Sequence, residues 1–156
     1  MTNSPETILY QKAALIFEEL CFLMPSPDNR KEHNDERTAA VVSFHGPFSG
    51  CLLVSLDSAL LGQLSINMLG DENITESHYG QDSLCEIANV ICGNTLPAVF
   101  GSRLVFHLDA PRLLTDSASL QPDGSFTRVA QTIVSFDGGQ AEIALYADTA
   151  SATNIN

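Results

Sequence analysis

The chain carries 156 residues, 44% of them apolar, which is enough for one domain with a single core and too many for a disordered chain. Nineteen acids against seven bases leave a formal charge of −12, which repels nucleic acid and anionic membrane because phosphate recognition needs clustered Lys and Arg. The start "MTNSPETILYQKAALIF" lacks the basic opening and unbroken apolar run of a signal peptide, and no other stretch reaches membrane-spanning length, so a cytoplasmic protein is expected.

In chain order, Ile8 to Met24 predicts an amphipathic helix that Pro25 and Pro27 stop. "SPDNRKEHNDER" is a charged, aperiodic, solvated loop, and three of the seven bases, Arg30, Lys31 and Arg37, sit in it among acids, so no basic face is left elsewhere. "TAAVVSFHGPFSGCLLVSL" predicts two strands around a Gly-Pro turn, with Val42 and Phe44 alternating with Ser43 and His45. "DSALLGQLSINMLG" predicts a short helix with Asp57 as N-cap, Gly70 as terminator and a buried stripe of Leu60, Leu61, Leu64 and Met68. The acidic "DENITESHYGQ" connects it to a longer helix, "DSLCEIANVICGNTLPAVFG", from Asp82 to Gly101. Strand-like alternation follows in "RLVFHLDAP" and "TRVAQTIVSFDGGQAEIALYA", where Asp137-Gly138-Gly139 supplies a hairpin turn. The tail 148–156 is small and polar and is expected to fray. The order α, β, β, α, α, β, β, β, with strands arriving as hairpins, predicts a single α+β domain over residues 1–156: an antiparallel sheet carrying two long helices.

The longer helix has two stripes. At roughly 100° per residue, Leu84, Ile87, Ala88, Ile91 and Thr95 share a face that must be buried. Asp82, Glu86, Asn89 and Gly93 share the opposite face and point to solvent. Structural readings exist for each of these. Ser83-Leu84-Cys85-Glu86 matches a capping box, in which Glu86 only reaches back to the Ser83 N–H. Asn89 has the character of an ordinary solvated residue, whereas Gly93 costs about 1 kcal/mol against Ala and asks for a reason such as close approach by another molecule.

Elsewhere chemistry has little foothold. Cysteines 21, 51, 85 and 92 fit no zinc spacing, and Cys85 and Cys92 fall within the helical pattern, where free Cys packs as a small hydrophobe. His33, His45, His78 and His107 lie in separate elements without a partner at ligand spacing. No nucleophile elbow, Walker loop or dinucleotide turn is present.

"EIANVICGN" is where a family comes into view. Glu-x-x-Asn followed four residues later by Gly in an apolar helix resembles the signature of the CheC/CheX/FliY chemotaxis phosphatases. "FHGPFSGCLLVSL", the helix ending "MLG", the acidic linker and "LDAPRLL" resemble the single-site CheX branch, from about Ala13 to Tyr146. Two-site members repeat Glu-x-x-Asn on the first helix. Here Cys21 stands three after Glu18 and Phe22 three after Glu19, so Glu86 and Asn89 are the only pair.

The resemblance implies an aspartyl-phosphate phosphatase acting on a phosphorylated CheY-like receiver domain. Asn89 would orient the attacking water and Glu86 would contact the receiver's lysine, with Asp82 and Gly93 on the partner-binding surface. It implies no cofactor or metal bound by this chain, since the receiver brings its own Mg²⁺, and it implies a homodimer through sheet edges, for which the strand Ser102 to Leu108 is the candidate. Two other readings stay open: a receiver-binding adaptor without hydrolysis, and an oligomerisation domain of the same fold.

Overall fold

The structure is a computed structural model that describes residues 3–27, 36–70, 77–114 and 126–148. The first helix, α1, runs Pro5–Cys21, earlier at both ends than its apolar periodicity suggests. Ser4 caps it by accepting the Thr7 N–H at 3.2 Å, and Pro5 at the first helical position gives up no hydrogen bond there. It ends before the prolines, because Phe22 turns left-handed at φ 54° and directs its N–H to the Phe17 carbonyl.

Strands β1 (Arg37–His45) and β2 (Gly50–Asp57) form the expected hairpin. Arg37 therefore belongs to a strand and not to the preceding loop, whose residues 28–35 lie outside the described residues. Its guanidinium meets the Asp57 carboxylate at 2.9 Å and donates to the Ser55 carbonyl at 3.0 Å. Asp57 is thus not the side-chain N-cap expected of it. Its other oxygen accepts the Gln140 N–H at 2.8 Å, and no cap hydrogen bond is made to the 3₁₀ turn Ser58–Leu60.

Helix α2 (Leu61–Leu69) ends at Gly70, left-handed at φ 71°, as anticipated, and Leu60 and Leu64 are buried. The linker beyond it is shorter than expected. Residues 71–76 lie outside the described residues, but α3 runs Ser77–Phe100, because the polar Ser77-to-Gln81 stretch continues the helix. Gly80 makes this possible: a Cβ there would stand 2.9 Å from Leu61 Cβ, so its bare backbone seats the first turn of α3 on α2.

The predicted strand Ser102 to Leu108 shrinks to β3, His107–Leu108, because residues 101–104 are spent in a turn after the helix. A further short strand, β4 (Arg112–Leu114), follows, one more than the sequence pattern suggests. Strands β5 (Thr127–Phe136) and β6 (Gly139–Ala147) form the last hairpin, around Asp137 and Gly138. The tail from 149 onward lies outside the described residues.

All pairings are antiparallel, in the order β3-β1-β2-β6-β5, with β4 also on β1. One face of this sheet supplies Val42, Leu52, Val54, Ile143 and Leu145 to a core completed by Leu9 and Phe17 of α1 and Leu84, Ile87 and Ile91 of α3. The α+β architecture read from the sequence is the one observed. By length and apolar composition alone, Tyr79–Phe100 of α3 would cross a membrane, contrary to the expectation that no such stretch exists. Its apolar side is instead the centre of the core.

Candidate active site on helix α3

Helix α3 presents its two stripes as its periodicity requires. Leu84, Ile87, Ala88, Ile91 and Thr95 are each 0% exposed, while Asp82, Glu86, Asn89 and Gly93 are all on the solvent side. With one face locked in the core, the helix is a rigid mount for whatever the other face carries.

The capping-box reading of Glu86 does not survive. Ser83 lies well inside a helix that starts at Ser77, and it is buried, so it has no orphan N–H at a helix start for Glu86 to reach. Among the described residues, neither Glu86 nor Asn89 has a side-chain hydrogen bond or ion pair. Spaced by three, they stand one turn apart with their polar heads uncommitted. The next amide along, Asn94, is committed: its Nδ2 donates back to the Val90 carbonyl at 2.8 Å. Gly93 has nothing within 4 Å of where a Cβ would stand, so its lack of a side chain answers no packing need inside this molecule.

The first helix brings its end to this face. Burial pushes the Cys21 thiol up to about 12, and the nearby charge of Glu86 adds to the effect. Asn67 of α2 holds that end in place by donating its Nδ2 to the Cys21 carbonyl at 2.7 Å. Cys21 itself is fully buried and Phe22 has left the helix, so α1 offers no second Glu-x-x-Asn site. Electrostatically the exposed stripe is acidic. It carries the carboxylates of Asp82 and Glu86, and α3 contains neither Lys nor Arg.

All four cysteines are free. Cys92 is buried, its thiol pushed up to about 12 by burial, and Cys85 packs against the core, as expected of small hydrophobes. Nothing in the sequence warns that His45 and His107 meet. They are cross-strand partners on β1 and β3, with rings stacked at 5.6 Å and the Asp109 carboxylate 3.8 Å from His45 Nδ1. Residues this far apart along the chain carry no local pattern that could announce the contact. His33 and the side chain of His78 lie outside the described residues. Among the described residues no group of three His, Cys, Asp or Glu side chains could hold a metal ion.

The family model described as chemotaxis phosphatase CheX matches residues 38–134, more than half of the chain, and the chain belongs to that family. Among solved structures, the chemotaxis protein CheX of Vibrio vulnificus is similar at 16% identity and TM-score 0.69, covering 94% of this chain and 98% of that one. A CheX from Desulfovibrio desulfuricans is similar at 16% identity and TM-score 0.68, covering 90% of this chain and 97% of that one. A CheX–CheY–BeF3–Mg complex from Borrelia burgdorferi is similar at 14% identity and TM-score 0.66, covering 90% of this chain and 96% of that one. At these identities the likeness is one of fold. No match is found among curated proteins.

Proposed function

We propose that this protein hydrolyses the aspartyl phosphate of a CheY-like receiver domain, with Asn89 and Glu86 as the working residues. The observation that carries the reading is the exposed, uncommitted Glu86–Asn89 pair on α3 in a chain of the CheX chemotaxis phosphatase family. The partner class is supported by the Borrelia relative, whose structure is a complex with CheY.

The chemistry explains why so few residues suffice. In an acyl phosphate the leaving group is a stabilised carboxylate, so the phosphorus–oxygen bond is already activated. Water attacks phosphorus, the bond to the receiver's aspartyl oxygen breaks, and inorganic phosphate leaves with the water oxygen. The receiver's own Mg²⁺ and lysine neutralise the phosphoryl oxygens. This chain has to place the water in line, which a neutral carboxamide does by hydrogen bonding without adding charge near the phosphoryl group. Asn89 has that role. Glu86 makes a charge-assisted contact to the receiver's lysine and sets the register of the two surfaces, with Asp82 beside it and Gly93 allowing close approach.

Asn89→Ala removes an oriented hydrogen-bond partner needed in the transition state. The dephosphorylation rate at saturating phosphorylated receiver should fall by on the order of 10²-fold, with binding changed only a few-fold. Glu86→Ala should instead weaken association, most strongly at low salt. Phosphate release measured on phosphorylated receiver distinguishes the two, and full activity in both variants would remove the assignment. A homodimer joined at a sheet edge belongs to the same proposal. Its edge is β5, which among the described residues pairs only with β6, whereas residues 102–108 hold just two strand residues.

A further inference from the structure

Pro97 sits inside α3, four residues after Gly93, and both are exposed on the side that carries Glu86 and Asn89. A proline has no N–H, so the Gly93 carbonyl lacks the donor that every interior helical carbonyl normally receives from four residues on. The proline ring also crowds that carbonyl, and both residues lie on the exposed side of the helix. Gly93 has no side chain to cover it, and nothing lies within 4 Å of where one would begin. Two residues that disfavour helix thus combine at one backbone oxygen that lacks its helical donor, one turn beyond Asn89.

We infer that the Gly93 carbonyl is a docking acceptor, exposed by Pro97, that takes an N–H donor of the receiver domain when the two proteins meet. The inference rests on the proposed receiver phosphatase activity and adds to it a third contact, made by the main chain. Its placement suits the task. The carboxylates of Asp82 and Glu86 and the Gly93 carbonyl form a row of acceptors along one stripe, so the stripe fits a partner surface rich in donors. The cost of an interior Gly and Pro then has a reason, since the core shows none: Gly93 and Pro97 are both on the solvent side, away from the buried face.

Pro97→Ala tests this directly, because the new backbone N–H closes the helix bond onto the Gly93 carbonyl and withdraws the acceptor. The variant should be more heat-stable, with Tm up by about 2–4 °C or more. Its KM for phosphorylated receiver should nevertheless rise by about three- to tenfold, the worth of one hydrogen bond, with kcat within about twofold of the natural protein. Gly93→Ala, whose methyl enters open space in the free protein, should likewise raise both Tm and KM. A KM unchanged in Pro97→Ala would overturn the inference whatever Gly93→Ala does, and because both substitutions stabilise the helix, a raised KM cannot be blamed on unfolding. Asn89→Ala run alongside separates the two levels. If it loses turnover while Pro97→Ala is silent, only the docking inference fails. If Asn89→Ala stays fully active, or the natural protein neither binds nor dephosphorylates the receiver, the functional reading falls and the inference with it.

Discussion

Phe22 occupies a left-handed backbone conformation at φ 54°, the only positive φ outside glycine among the described residues. A bulky residue there carries strain that Gly would not. The residue is 71% exposed, so it recovers little by burial. Phe22→Gly should therefore stabilise the protein by about 1 kcal/mol, seen as a higher Tm in thermal unfolding. This helix end could not be foreseen from residue types, because the usual glycine signal is missing and the prolines at 25 and 27 offer a more obvious stop. Asn89 is legible for the opposite reason. Its exposure follows from a helical period of about 3.6 and a row of aliphatic residues on the other face, both of which are local in sequence.

At the scale of elements, the base of the β1–β2 hairpin is tied to the start of β6 through one carboxylate. Asp57 is 6% exposed and holds Arg37 on one oxygen and the Gln140 N–H on the other. Asp57→Ala would leave a partly buried guanidinium and a buried N–H without this partner. It should cost about 2–3 kcal/mol, read as a shifted midpoint in denaturant unfolding with helix content kept below the transition. Sequence pattern assigns Asp57 to the helix that follows it, since an Asp before a helical run is a common N-cap signal. The competing demand comes from residue 140, which no local pattern connects to residue 57. The false capping box at Ser83 arises in the same way, because a polar linker holding Gly80 reads as loop until α2 is seen packed against that glycine.

The molecule as a whole buries three of its thiols and half-buries the fourth, Cys85. Burial pushes Cys21 and Cys92 from 9.0 up to about 12, and Cys51 and Cys85 move in the same direction. The folded state thus holds these protons more tightly than the unfolded chain does. The resulting stability is fully present below pH 9.0 and is lost as the pH rises from there toward about 12. Tm should fall as the pH is raised from 9.0 toward about 12, and a Cys21→Ala, Cys92→Ala double variant should show a shallower fall. Fold class is readable at this scale because hairpin turns and helical stripes are short-range signals that together admit few topologies. The stacking of His45 on His107 is not, for it depends on where two distant strands meet.

The separation of α3 into a buried face and an exposed one has a genetic consequence. None of the residues proposed to act on the receiver helps to hold the core together, so mutation at Asn89 would yield a protein that is made, folds and docks, yet does nothing. Under the proposed receiver phosphatase activity, such a product is worse for a cell than none. It would occupy phosphorylated receiver in competition with the intact protein, and altered copies in a mixed population of molecules would prolong the signal in proportion to their share. Damage to the core at Leu84 or Ile87 would be recessive by comparison, since a chain that fails to fold leaves the receiver free for its neighbours.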